Sequence, residues 1–162
     1  MDFVNPTPRR PHKFPSGSAP AKLPTRMTAP VHETTVRVRY AETDQMGVVY
    51  YANFFVWFEV GRVELLRALG HSYRDMEKVD DCHIVVAEAS CSYKKPAVYD
   101  DLLKIRTRVL QVRRKTIRFA YEVLRDPGGE LLATGETLHV ICNKSGRPKT
   151  LPEKYMKALS SP

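Results

Sequence analysis

The sequence predicts an α+β domain in which a curved antiparallel β-sheet wraps around one long central α-helix. Three observations carry this expectation. Residues 53 to 69, NFFVWFEVGRVELLRAL, hold apolar side chains at helical spacing around most of the circumference. Four later segments and one earlier segment alternate with a period of two. The last three strands are joined by short connections, RRK and RDPGGE, which makes them a meander.

The elements follow in order. TTVRVRY, residues 34 to 40, places Val36, Val38 and Tyr40 on one face and Arg37 and Arg39 on the other, the pattern of a half-buried strand. The long helix has Asn53 as a candidate N-cap and Gly70 as a candidate C-cap. Phe54, Phe58, Leu65 and Leu69 recur on its core side, while Glu59, Arg62 and Glu64 supply a polar side. Ser72 is placed to cap a short second helix. Strands then span 84–95, 102–112, 116–124 and 131–142. In 116–124, Ile117, Phe119, Tyr121 and Val123 share the inner face. The opposite sheet face is mixed and partly apolar, so the domain is expected to associate with further copies of itself.

The 162 residues include 43% hydrophobic side chains, enough for one packed domain without staples. Cys82, Cys91 and Cys142 show neither disulfide-framework nor metal-ligand spacing, which points to a reducing compartment and a cytoplasmic protein. No apolar run is long enough to span a bilayer. The net charge of +8 is split evenly: residues 1–30 carry five basic side chains and Asp2, giving +4, and the remainder carries the other +4. No recognition helix accompanies the basic residues, so nucleic acid is not an expected partner. Seven of the twelve prolines lie in residues 1–30, which read as a disordered basic tail. The folded domain is expected over residues 31–150, with a short C-terminal extension at 151–162.

The segment ahead of the long helix carries the candidate chemistry. Asp44 precedes Gly47, a run of aromatics and the helix start. On local sequence it is a turn residue, a helix cap or a catalyst. Two longer segments decide between these. VRYAETDQMGVVYYANFFVWFEVGRVELL, residues 38–66, and SYKKPAVYDDLLKIRTRV, residues 92–109, together resemble the 4-hydroxybenzoyl-CoA thioesterase family of the hotdog-fold superfamily. The resemblance covers residues 34–142 and leaves out the proline-rich tail. It implies hydrolysis of an acyl-CoA or aryl-CoA thioester in a site completed by a neighbouring subunit. Asp44 matches the family's catalytic carboxylate, as nucleophile or general base. Gly47 matches the glycine that lets the backbone turn past the thioester. Tyr51 falls where a backbone N–H polarises the thioester carbonyl. Some relatives have histidine at Tyr51, and that acid–base role is excluded here.

The chemistry is coherent without a metal or cofactor; coenzyme A is part of substrate and product. Charge developing on a thioester oxygen is stabilised by free N–H groups at a helix N-terminus. Val48, Tyr50, Phe54, Glu88 and Ser90 are candidate substrate-binding residues. Glu88 could equally pair with a base, and core packing is the favoured role of Trp57 and Phe58. Glu42 is a weaker competitor for the carboxylate role. Three basic clusters are available for coenzyme A phosphates: Lys94–Lys95, Arg113–Lys115, and Lys144 with Arg147 and Lys149. His32, His71, His83 and His139 lack metal-ligand spacing. A homodimer is expected as the minimal unit, and a tetramer beyond it. Two other readings compete: a hydratase or dehydratase of the same fold, which would want a histidine in the site, and a non-catalytic acyl-CoA-binding protein, which would not depend on Asp44.

Overall fold

The computed structural model describes residues 31–160. The tail expected at 1–30 lies outside the described residues. Five strands form one antiparallel sheet: β1 (His32–Arg37), β2 (His83–Tyr93), β3 (Leu102–Val112), β4 (Thr116–Asp126) and β5 (Glu130–Cys142). Their spatial order is β1-β3-β4-β5-β2. The meander β3-β4-β5 is the one the short connections predict. The sheet is completed by β1 beside β3 and by β2 on the far side of β5. Three helices accompany it: α1 (Asn53–Ala68), α2 (Tyr73–Lys78) and α3 (Glu153–Ser160).

The 16-residue α1, about 24 Å long at 1.5 Å per residue, lies on the sheet and buries Phe54, Trp57, Phe58, Leu65 and Leu66. Phe58 stacks on Tyr121 of β4 with ring centroids 4.3 Å apart. Small residues let the layers approach. A Cβ on Gly61 would fall 2.3 Å from Thr107 Oγ1 on β3, and one on Gly135 of β5 would fall 2.3 Å from Phe58 Cε2. Ile117, Phe119, Tyr121 and Val123 are all buried on the inner face of β4. Each large apolar side chain so buried stabilises the domain by about 1.5–3 kcal/mol relative to exposure.

Local corrections have local causes. Tyr40 does not continue the strand. β1 ends at Arg37, and Tyr40 opens a short 3-10 turn (Tyr40–Glu42) with its ring exposed. Asn53 does not cap α1. The cap position is Ala52, and the Asn53 side chain donates instead to the Glu42 carbonyl at 2.8 Å. Gly70, at φ +80°, follows the helix as expected, and Ser72 Oγ accepts the Asp75 N–H to cap α2.

Arg62, expected on the polar side of α1, is buried. Glu59 lies 3.7 Å away, and the Arg62 charge bears on Tyr121 and His139 of the facing strands. Residues 151–160 also pack more intimately than an extension implies. Leu151, Tyr155 and Leu159 join the main hydrophobic core, and Tyr155 is tied to Asp80 through its hydroxyl.

The outer sheet face is more ionic than the sequence suggests. Arg118 reaches both Glu88 and Glu136, and Arg106 reaches Glu33 and Glu122. Exposed apolar groups gather instead on β2 and on the segments around Tyr40, Met46 and Tyr99. No helix among the described residues is long and apolar enough to cross a membrane.

Candidate active site

The site is built on Glu42. This residue is only 4% exposed. Oε2 accepts the Arg39 N–H at 2.8 Å; Oε1 accepts from the Arg39 guanidinium at 2.9 Å and from Trp57 Nε1 at 3.3 Å. Burial alone would raise its pKa, but the Arg39 and Trp57 bonds outweigh burial and hold the carboxyl below its ordinary value. Its backbone carbonyl takes the Tyr50 N–H at 2.9 Å as well as the Asn53 side chain. One buried residue therefore clamps both ends of the loop 43–50. Glu42 is committed to holding the loop, which removes it from contention as the reacting carboxylate.

The loop closes on itself as a small hairpin. Thr43 and Val49 form a bridge, the Asp44 N–H reaches the Val48 carbonyl at 2.9 Å, and the Gly47 N–H reaches the Asp44 carbonyl at 3.0 Å. Gly47 has φ +75°, and a Cβ there would meet nothing within 4 Å. Its backbone conformation, rather than crowding by the rest of the protein, is what calls for glycine. A second segment holds the hairpin from the side: Val49 N–H donates to Ala97, and Val48 bridges to Val98. That is the role of the proline–alanine stretch after β2.

Asp44 sits at the tip of this hairpin, partly buried. Oδ1 accepts the Met46 N–H at 2.8 Å, an Asx turn. Oδ2 has no protein donor among the described residues. The turn reading is thus half right, and the cap reading fails, because α1 begins at Asn53 with Ala52 at the cap position and no side-chain cap. The carboxylate opens on a cavity of about 360 Å³. Val48, Val49, Phe54, Pro96 and Ala97 form apolar walls, with Met46 at the rim. Tyr51, Tyr93, Lys94 and Lys95 supply the other polar groups. The size is at the small end of ligand pockets.

Tyr51 also lies on this cavity, at the turn that leads into α1. The Asn53 N–H bonds to Tyr50 and the Phe55 N–H to Ala52. The N–H groups of Tyr51 and Ala52 have no acceptor among the described residues. A carboxylate and an open helix-start turn therefore share one apolar cavity.

The remaining candidates divide. Val48 and Phe54 line the cavity, as expected. Tyr50 does not; its ring lies against Tyr51 at 4.5 Å, on the outside of the turn. Glu88 and Ser90 are not among the lining residues either. Glu88 pairs with Arg118 on the outer sheet face at 3.4 Å, the alternative its strand position left open, and Ser90 lies in the neighbouring outer groove with Glu136. Of the three basic clusters, Lys94–Lys95 lines the cavity. Lys95 is paired with Glu130 at 3.2 Å, whereas Lys94 donates to Ser92 Oγ and has no carboxylate partner among the described residues. Tyr93 is not among the candidate site residues read from the sequence, although it stands ahead of Pro96–Ala97 in the second segment that carries the family resemblance. No histidine among the described residues lines the cavity. Among the described residues no group of His, Cys, Asp or Glu is arranged to hold a metal.

Comparison with known proteins places the chain in a family and a fold. The thioesterase-like superfamily matches residues 38–159. YneP of Bacillus subtilis, provisionally named an acyl-CoA thioesterase, is 40% identical over 114 residues, covering 70% of this chain and 81% of its own. The acyl-CoA thioesterase YbgC of Haemophilus influenzae is 34% identical over 114 residues, 70% of this chain and 82% of its own. The crystal structure of a DHNA-CoA thioesterase from Staphylococcus aureus superposes with a TM-score of 0.76 at 34% identity, over 80% of this chain and 89% of that one. A 4-hydroxybenzoyl-CoA thioesterase shares the fold, with a TM-score of 0.73 at 22% identity, over 80% of this chain and 99% of that one. Fold and relatives together define a thioester hydrolase of hotdog architecture. The chain belongs to the thioesterase-like superfamily.

Proposed function

We propose that the protein hydrolyses acyl-CoA or aryl-CoA thioesters to the free acid and coenzyme A, with Asp44 as the reacting carboxylate and the Tyr51 backbone N–H as the donor to the thioester carbonyl. The observation that carries this reading is the shared cavity: an Asp44 oxygen without a protein donor and a helix-start turn with open N–H groups. The substrates in the names of the relatives support the acyl-CoA and aryl-CoA classes. The chemistry balances in two ways. Asp44 attacks the carbonyl, the C–S bond breaks to release coenzyme A thiolate, and water cleaves the mixed anhydride to regenerate the carboxylate. Alternatively, Asp44 takes a proton from water as hydroxide adds, and the thiolate leaves with that proton. Neither route calls on a metal or cofactor. Lys94, which lines the cavity and has no carboxylate partner among the described residues, is suited to an anionic group of the substrate.

The working unit in this reading is a homodimer, with pairs of dimers forming a tetramer. Support comes from β2, an 11-residue edge strand whose residues 85–90 are exposed on both faces. Such an edge invites pairing, and antiparallel pairing with its own copy satisfies a two-fold axis. A reducing, cytoplasmic setting is supported by three free cysteines, two of them buried.

The test is thiol release from a panel of straight-chain and aromatic acyl-CoAs, run beside Asp44→Asn. The expected result is turnover that falls by a factor on the order of 10²–10⁴ in the variant, the range of a lost acid–base or nucleophilic group. Turnover equal in the two would move the chemistry away from Asp44. Label found in the Asp44 carboxylate after single turnover in ¹⁸O-labelled water would establish the mixed-anhydride route, with water adding at the aspartyl carbon.

A further inference from the structure

Tyr93 ends β2 and faces the cavity, 45% exposed, so burial in the core does not explain it. Its ring stands edge-on to Phe54, with centroids 5.1 Å apart. Its hydroxyl donates to the Tyr51 carbonyl at 3.1 Å. Among the described residues the only other donor to that carbonyl is the Phe54 N–H, at a long 3.4 Å. We propose that Tyr93 is a positioning residue for the reaction: its hydroxyl fixes the Tyr51–Ala52 peptide, and with it the turn that presents open N–H groups to the thioester oxygen.

Three points carry this. The turn 50–53 lies ahead of the regular helix ladder, so its peptides lack the full set of bonds that fixes a helix interior. Donors aimed at a developing oxyanion contribute through preorganisation, which a free peptide does not have. A bond at the carbonyl of the Tyr51–Ala52 peptide strengthens the Ala52 N–H, and it orients the Tyr51 donor through the backbone that the two adjoining peptides share. Burial, and then the neighbouring Cys91 and Tyr51, push the Tyr93 hydroxyl up to about 12, so it stays a donor at every pH at which the protein would work. The link also spans the fold, joining the end of an edge strand to the start of the central helix.

This inference rests on the Tyr51 assignment above, and the experiment separates the two. Tyr93→Phe keeps the ring against Phe54 and removes only the donor. The expected result is kcat about tenfold lower, KM for the best thioester within about twofold, and an unchanged melting temperature. Replacing Tyr93 with p-aminophenylalanine, which restores a donor at the ring tip, is expected to recover most of the lost kcat. A purely structural role would instead lower the melting temperature or leave the kcat-to-KM split unmoved. Tyr93→Phe with wild-type kcat, or with its whole loss in KM, overturns the proposal while Asp44→Asn remains inactive. A p-amino variant no better than Tyr93→Phe overturns it too. Absence of thioester turnover in the wild type removes the Tyr51 reading and this inference together.

Discussion

Asp44 Oδ1 accepts the Met46 N–H, so one oxygen of the carboxylate is occupied by the turn that carries it. Replacing Asp44 with asparagine keeps an acceptor for that bond, which is why the variant tests chemistry rather than folding. Glu42 is the complementary case. Glu42→Gln keeps the size but replaces an ionised acceptor with an amide, weakening the Arg39 and Trp57 bonds. The expected outcome is about 1–3 kcal/mol of lost stability, read by urea unfolding, with kcat reduced through the loop that bears Asp44. His139 adds a pH dependence. Burial, then the Arg62 charge, push it from 6.5 down to about 4. The unfolded chain therefore holds a proton that the folded one lacks between these values, so stability falls as pH drops through that window and levels off below it. By linkage about 2 kcal/mol is lost between neutral pH and pH ~5. Unfolding curves at both pH values should show it, and His139→Leu should flatten the difference.

Helix α1 depends on two close approaches that its own sequence does not announce. A methyl group on Gly61 would run into Thr107 and Ile105, and one on Gly135 would meet Phe58 and the Ser90 carbonyl at 2.7 Å. Gly135→Ala is expected to cost about 1–3 kcal/mol, the range of overpacking, because one obstacle is backbone and cannot turn aside. Gly61→Ala should cost less, since a hydroxyl rotamer can move. Thermal unfolding of the two variants checks the order. Arg62 shows why helical periodicity misleads at one position. A lone arginine between Gly61 and Val63 reads as polar surface, yet the sheet curves far enough round α1 to enclose it.

At the scale of the molecule, β2 is an edge strand that no other strand covers among the described residues. Val85 and Val86 are each about half exposed on it. If β2 pairs with its copy, Val86→Glu places two like charges near one symmetric seam and should dissociate the dimer. Sedimentation at several protein concentrations reads the outcome. A wild type that sediments as a monomer would remove the oligomer reading while leaving the Asp44 cavity intact.

The sequence by itself determined the elements and the location of the candidate chemistry. Strand period, helix period and turn residues are local properties. The D-x-x-G-V-V-Y stretch ahead of an aromatic-rich helix is one contiguous signal, so Asp44, Tyr51, Val48 and Phe54 were all readable. What only the tertiary structure decided was which side chains meet across the sheet and the loop. Tyr50 and Tyr51 are indistinguishable by composition, and the bend of one turn sends one into the cavity and the other out. Glu88 and Ser90 share a strand with Tyr93, yet the pleat turns them to the outer face. Glu42 and Tyr93 lie 11 and 42 residues in sequence from the groups they hold, the Asn53 side chain and the Tyr51 carbonyl, and periodicity carries no term for contacts at such separations. The Tyr93 contact arises only when β2 lies at the far edge of the sheet and brings its end beside the start of α1.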